Sequence, residues 1–244
     1  MAALKGRVAL VTGGSRGIGQ AIAVSLADAG AAVAVNYLER AALADKVAEA
    51  IHHKGGRAIA VGADVSQAAA VKAMVSDVEQ RLGPIDILVN NAGIGLIRTV
   101  DELTEEDFDR TIAVNLKSVF LCTQAVVPGM RSRKWGRIVN ISSGAARGAG
   151  GVGPHYNASK AGLEGMTRGY AARLVKEGIT VNAVAPSLIE SDMLRSGALA
   201  SAVSRIPLGR FGTPEECAQV VMMLLGNEYM TGQTVALSGG LSFL

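Results

Sequence analysis

The sequence predicts an α/β protein in which helices cover both faces of a doubly wound parallel sheet. Short aliphatic runs alternate with helical patterns of ten residues or more along the whole chain. Continuous apolar strands separated in this way belong to parallel sheets buried on both faces. Right-handed crossovers then leave a doubly wound arrangement as the natural packing. The 244 residues fit one domain, 1–244, with no linker, low-complexity tract or internal repeat to divide it.

Residues 8–12 read as the first strand, feeding a helix over 17–29. A second strand over 32–36, a helix over 40–54 and a third strand over 58–61 follow. The helix over 67–82 stops at Gly83-Pro84, which cannot continue it, and 85–89 is the fourth strand. A long helical region over 104–133 leads to a strand over 137–141, a helix over 156–177 and a strand over 179–183. A helix over 214–225 and a strand over 233–237 bring the strands to seven. The glycine-rich stretch 144–154 lies between a strand and a helix and reads as the flexible rim of a site.

Composition excludes several classes of function. Apolar residues at 49% and charged residues at 18% supply a core and argue against disorder. With aromatics at 4% and a scattered net charge of +3, no base-stacking or strongly basic surface is available, so nucleic acid is not expected as a partner. The densest basic stretch, Arg131-Ser-Arg-Lys-Trp-Gly-Arg137, reads as a solvated helix end, and Trp135 within it as a packing or surface residue. Cys122 and Cys217 lie in apolar helical contexts and read as buried thiols, with no metal or disulfide spacing. The start of the chain has no signal-peptide pattern, and no unbroken apolar run nears the ~20 residues of a membrane span. A cytoplasmic protein without a membrane partner is expected.

Two motifs carry chemistry. The first strand runs into Thr12-Gly13-Gly14-Ser15-Arg16-Gly17-Ile18-Gly19 and then a helix. Glycines permit the tight turn and let a pyrophosphate approach the backbone, while the helix N-terminus offers free N–H groups. The second strand ends Val35-Asn36-Tyr37-Leu38, so Asn36 and Tyr37 stand where an acid would bind the ribose hydroxyls of NAD. That acid is missing, and Arg16 offers a guanidinium for a 2′-phosphate, although Glu39 is near. NADP(H) is therefore favoured over NAD(H). In Tyr156-Asn-Ala-Ser-Lys160, a helix places the lysine four residues on and beside the phenol. A neighbouring cation favours the phenolate, so the expectation is a lowered Tyr156 pKa.

Together with Asn90-Asn-Ala-Gly93, Asn115 and Ser143, these motifs resemble the short-chain dehydrogenase/reductase family in order along nearly the whole chain. The resemblance is strongest to its 3-oxoacyl-carrier-protein reductase branch, supported by Gly209-Arg-Phe-Gly-Thr-Pro-Glu-Glu216 and Thr231-Gly-Gln-Thr234. It implies a Rossmann-type fold with a cofactor half over about 1–95 and a catalytic and substrate half over about 96–244. It also implies Tyr156 as general acid in reduction, Lys160 as the group that lowers its pKa and holds the nicotinamide ribose, and Ser143 as a donor to the substrate oxygen. Ser142 is rejected because Ser143 has the family spacing to Tyr156. Asn115 would place a water in a proton relay. Asp64 and Val65 would contact adenine, and Asn91, Ala92, Gly93, Pro186 and Ile189 would lie along the cofactor. Members form tetramers through the helices of 104–133 and 156–177, and the apolar end Leu241-Ser-Phe-Leu244 suits such an interface.

Two departures stand out. Pro186-Ser187 replaces the family's Pro-Gly at the start of the substrate loop 187–205. Glu177 replaces an arginine that the resembling reductases place before the Gly-Ile-Thr-Val-Asn strand, which weakens the case for an acidic acyl-carrier protein as partner, although Lys134 keeps a basic residue nearby. His155 reads as a rim residue pointing away from the Tyr156/Lys160 face. The expected reaction is NADPH-dependent reduction of a ketone: a 3-oxoacyl thioester, a keto ester or a small apolar ketone. Two alternatives stay open. One is NAD-dependent oxidation of a secondary alcohol or sugar; the other is a nucleotide-binding regulator without activity.

Overall fold

The computed structural model describes residues 4–190 and 200–242. Part of the substrate loop (191–199) and the terminal Phe243 and Leu244 lie outside the described residues. Seven strands form one sheet: β1 (Val8–Val11), β2 (Ala32–Tyr37), β3 (Arg57–Gly62), β4 (Ile87–Asn90), β5 (Gly136–Ile141), β6 (Ile179–Pro186) and β7 (Thr234–Leu237). Their order is β3-β2-β1-β4-β5-β6-β7, and every pairing is parallel. Among the described residues the α-helices are α1 (Gly17–Asp28), α2 (Ala41–His53), α3 (Ala68–Arg81), α4 (Glu105–Ile112), α5 (Ser118–Ser132), α6 (Pro154–Leu174) and α7 (Pro214–Gly226).

Strand alternation explains the two-sided core. Ala9, Val11, Val33, Val35, Ile87 and Val89 point to one face, where α1, α2 and α7 cover them. Val8, Leu10, Ala32, Ala34 and Leu88 point to the other, under α3, α5 and the end of α6. The chain winds outward from β1 to β3 and then returns to place β4 on the other side of β1. At that reversal the loops after β1 and β4 diverge and leave a crevice beyond the strand ends, where open α/β sheets bind ligands.

The region read as one helix over 104–133 contains a π turn at Ala113–Lys117 between α4 and α5, with Asn115 buried inside it. Such turns widen a helix locally and are common at functional sites. The stretch Glu105–Ser132 is 28 residues long and has a window of mean hydropathy 1.3, long and apolar enough to cross a membrane. The sequence hides this because Lys117 and Gln124 break the apolar run. The helix is nevertheless a core element: Val119, Cys122, Val126, Val127 and Met130 are buried, and α5 packs on β4 and β5.

The basic stretch at the end of α5 is solvated at Arg131, Ser132 and Lys134, but not beyond them. Arg137 is buried and pairs with Glu228 at 2.9 Å. Its guanidinium carbon lies 4.4 Å from the centre of the Trp135 ring, and that of Arg7 lies 3.6 Å from the same centre. Arg133 donates to Ile85 O at 2.6 Å and approaches Asp86, which also accepts the Val8 N–H. Arg131 pairs with Glu177. This segment leads into a buried strand, so Arg133 and Arg137 tie the lower edge of the sheet while Arg131 and Lys134 face water. Both cysteines are buried, and burial pushes each thiol up to about 12.

Candidate active site

The loop after β1 is shaped by close approach. A Cβ on Gly19 would fall 2.4 Å from Gly13 O and 2.5 Å from Asn91 Nδ2, so only glycine lets α1 start this near the loop. Gly13 has φ +60°, and a Cβ there would sit 3.0 Å from Ala92 Cα. Gly17 has φ +53° and faces open space. Arg16, exposed, occupies the N-cap position of α1 without a side-chain cap, and no acid stands in the first turn. An uncapped helix start behind a glycine cradle fits a dinucleotide pyrophosphate, so the residues present suit such a cofactor. Ser15 and Ile18 are half-buried on the same turn.

Thr12, to which the sequence assigns no role of its own, joins this loop to the next. Its Oγ1 accepts the N–H groups of Asn91 and Ala92, each at 3.0 Å, while Asn91 Nδ2 donates to Thr12 O and Gly13 O. A hydroxyl at a strand end, where an aliphatic residue would extend the core, is the signal that could have found it. Below them Asn90 donates to Asn140 Oδ1 and Asn140 to Thr167 Oγ1, a buried ladder from β4 through β5 to α6.

Asn36 does not face the crevice. Its side chain is buried, with Oδ1 accepting the Gly13 N–H at 3.2 Å and Nδ2 donating to the carbonyls of Tyr37, Val61 and Ala63. Tyr37, the next residue on the strand, is half-exposed, and its ring lies against Gly62. Asp64 accepts from Ser66 N and Oγ, and Val65 is buried beside it. Pro186 ends β6, and Ile189 is buried in a bridge with Gly212. Ser187 needs no left-handed backbone, and its Oγ fills the space over Gly144, where a Cβ would come within 2.5 Å.

The sequence-predicted catalytic residues converge. Ser143 begins the short turn Gly144–Ala146, its Oγ accepting Ala145 N–H at 3.2 Å. The same hydroxyl stands near enough to the Tyr156 phenol to lower its pKa. Lys160 is buried; its Nζ donates to Ile141 O at 2.8 Å and lies 5.8 Å from the centre of the Tyr156 ring. Asn115 Oδ1 accepts the Ile94 N–H, and Nδ2 donates to Ile94 O and Ser159 Oγ, which holds the 93–95 loop beside Lys160. Ser142 instead turns inward, toward Lys160 O and Glu164 Oε1.

Electrostatics differ from the sequence expectation. Burial raises the Tyr156 pKa, with the Ser143 hydrogen bond opposing, and burial lowers Lys160 to about 8. The ammonium is directed at a backbone carbonyl, so desolvation outweighs its pull on the phenol. His155 also departs from its reading as a rim residue: it is fully buried, and Nε2 donates to Leu96 O at 3.0 Å. The helix places its ring against the 95–98 loop.

The family described as Enoyl-(Acyl carrier protein) reductase matches residues 13–242. The chain is 43% identical over 244 residues to 3-oxoacyl-(acyl-carrier-protein) reductase of Synechocystis sp., covering 99% of each. It is 43% identical over 243 residues to the reductase of that name from Thermotoga maritima, covering 98% of each. Among solved structures it is similar to a mutant form of a Serratia marcescens short-chain dehydrogenase/reductase, at TM-score 0.93 and 41% identity over 99% of this chain and 100% of that one. A blue fluorescent protein from a metagenomic library, solved in complex with NADPH, superposes at TM-score 0.92 with 39% identity, again over 99% and 100%. The seven-stranded parallel sheet agrees with these matches: the chain belongs to the short-chain dehydrogenase/reductase family of oxidoreductases.

Proposed function

We propose that the protein reduces a ketone to a secondary alcohol with NADPH, Tyr156 acting as general acid. The observation that carries this reading is the gathering of Ser143, Tyr156 and the buried Lys160, whose Nζ lies 5.8 Å from the centre of the Tyr156 ring. The relatives named as 3-oxoacyl-(acyl-carrier-protein) reductases and the neighbour solved with NADPH support it. When bound, the cofactor supplies the hydride. The chain's own residues act on the oxygen. Ser143 and Tyr156 point two hydroxyl donors at the site where a carbonyl oxygen gains charge, and Tyr156 O–H delivers the proton. Lys160 holds positive charge behind the phenol and steadies the phenolate left after transfer.

Reduction uses the protonated phenol, which is the form that burial favours, and oxidation uses the phenolate. Arg16 and Tyr37 take the 2′-phosphate side of the crevice, Asp64 and Val65 the adenine side, and Asn91, Ala92, Gly93, Pro186 and Ile189 the nicotinamide side. The substrate is a 3-oxoacyl thioester, a keto ester or a small apolar ketone, and Gly95 and Val152 lie next to Tyr156 on its side. Assembly is a homotetramer, for which the exposed Phe108 and Phe120 on α4 and α5 provide apolar surface.

Tyr156→Phe tests the reading. NADPH oxidation with acetoacetyl thioesters, keto esters and diketones is expected to fall by roughly 10²–10⁴ in kcat, with NADPH affinity retained. Unchanged turnover of every active substrate would remove Tyr156 from the chemistry. Faster turnover with NADH than with NADPH would remove the cofactor assignment.

A further inference from the structure

Glu164 is a carboxylate that helix packing does not explain. It sits one turn beyond Lys160 on α6, only 4% exposed, between the buried Leu163 and Thr167. Burying a carboxylate is costly unless it is paired and hydrogen-bonded. Its two partners, Ser142 and Arg147, flank Ser143 and the short turn Gly144–Ala146. Oε2 accepts Arg147 Nε at 2.8 Å, and Oε1 accepts the Ser142 hydroxyl at 3.3 Å.

The segment these contacts fix needs fixing. Between β5 and α6 the chain carries glycine at 144, 148, 150, 151 and 153, so its own backbone restrains it little. Arg147 reaches back from it to α6, and Asn157 Nδ2 donates to Gly148 O and Ala149 O. Ser142 and Ser143 are adjacent at the end of β5, and Ser143 is extended, with φ −161° and ψ 153°. Neighbouring side chains on extended backbone point to opposite sides. Holding Ser142 against Glu164 therefore turns Ser143 toward Tyr156.

We propose that Arg147 and Glu164 form a clamp that positions Ser143 and the 144–149 rim for reaction, making both residues positioning groups for carbonyl reduction. This inference rests on the reductase reading above. Neither side chain contacts the Tyr156 phenol; their effect is transmitted through Ser142 and the backbone of the rim.

The experiment compares Arg147→Ala, Glu164→Gln and the double variant with the full-length wild type. Misplacing a donor at the reacting oxygen is expected to cost Arg147→Ala roughly ten- to a hundredfold in kcat. NADPH affinity, read by fluorescence titration, should change less than about twofold, because the cradle at Gly13–Gly19 is elsewhere. As members of one unit, the two substitutions together should lose no more than the worse single variant. Arg147→Lys, which keeps the charge, should recover part of the loss. Hydrogen exchange in the cofactor-free protein supplies a readout independent of turnover: Arg147→Ala should accelerate exchange across 144–149 while leaving β4 and β5 protected. If Glu164→Gln fails to fold, the Arg147 variants, altered at a partly exposed residue, still decide the matter. Wild-type kcat in Arg147→Ala, additive losses in the double variant, or unchanged exchange across the rim would each overturn the clamp. A wild type that reduces no ketone with NADPH would refute the reductase reading, while exchange would still report whether the clamp orders the rim.

Discussion

The amide oxygen of Asn36 accepts the backbone N–H of Gly13 at 3.2 Å, and this contact determines which residue at the end of β2 faces the crevice. Because Asn36 is turned inward to join the glycine loop to β3, Tyr37 takes the outward place. The two positions should therefore respond differently to an acid. Asn36→Asp puts a carboxylate against the carbonyls of Tyr37, Val61 and Ala63, and is expected to cost about 3 kcal/mol in urea unfolding. Tyr37→Asp should fold normally and shift the NADPH/NADH ratio of kcat/KM toward NADH by about tenfold or more, since a carboxylate repels the 2′-phosphate. Equal effects of the two substitutions on stability would contradict the assigned directions.

Lys160 makes stability depend on pH with a definite sign. Its ordinary value of 10.5 is lowered by burial to about 8 in the folded chain. Protonation therefore costs the folded state nothing above 10.5, costs progressively more as pH falls toward 8, and reaches a constant penalty below it. Lys160→Met removes that penalty. At pH 7 the variant should be more stable than wild type by on the order of 2–3 kcal/mol, although without a lysine it should be inactive. Denaturant unfolding from pH 7 to pH 10.5 checks this, and the two proteins should converge as the pH rises. A constant difference over the whole range would mean that the ammonium is not desolvated.

The adjacent serines provide an internal control. Ser143 stands near the Tyr156 phenol and lowers its pKa, while Ser142 faces Glu164 and the Lys160 carbonyl. Ser143→Ala should lower kcat for ketone reduction by roughly 10²–10³, the usual cost of one donor to a developing oxyanion. Ser142→Ala loses only a positioning contact, so its kcat should remain well above that of Ser143→Ala. The reverse ranking would reassign the substrate donor.

The two-sided core is visible in the strand runs because burial on both faces leaves no polar residue to interrupt them, as in Val33–Val35. The glycine cradle and Tyr156–Lys160 are visible because their chemistry requires fixed spacing along the chain. What the sequence hides depends on contacts between distant segments. Nothing near Asn36 reveals that Gly13 will meet its amide, and nothing in the run from Arg131 to Arg137 announces Glu177, Glu228 or Asp86 as partners. His155 escapes a reading by position for the same reason, since its burial depends on Leu96, which lies far away in sequence. The direction of the Tyr156 shift depends on how deeply the phenol is desolvated, which spacing does not encode.

The Arg131–Glu177 pair bears on delivery of the substrate. Arg131 at the end of α5 is tied to Glu177 just before β6, so its charge is compensated. Steering of an acidic partner requires uncompensated positive surface and declines as salt rises. The protein should therefore reduce a free 3-oxoacyl thioester with a kcat/KM similar to that of the carrier-bound substrate, and neither value should depend strongly on ionic strength. Glu177→Arg reverses the local charge and frees Arg131. It should raise kcat/KM for the carrier-bound substrate by roughly three- to tenfold at low salt, most of the gain disappearing near about 0.5 M salt, without changing the free thioester. A wild type that already prefers the carrier-bound form strongly and loses that preference in salt would show that Arg131 and its neighbours steer the partner despite Glu177.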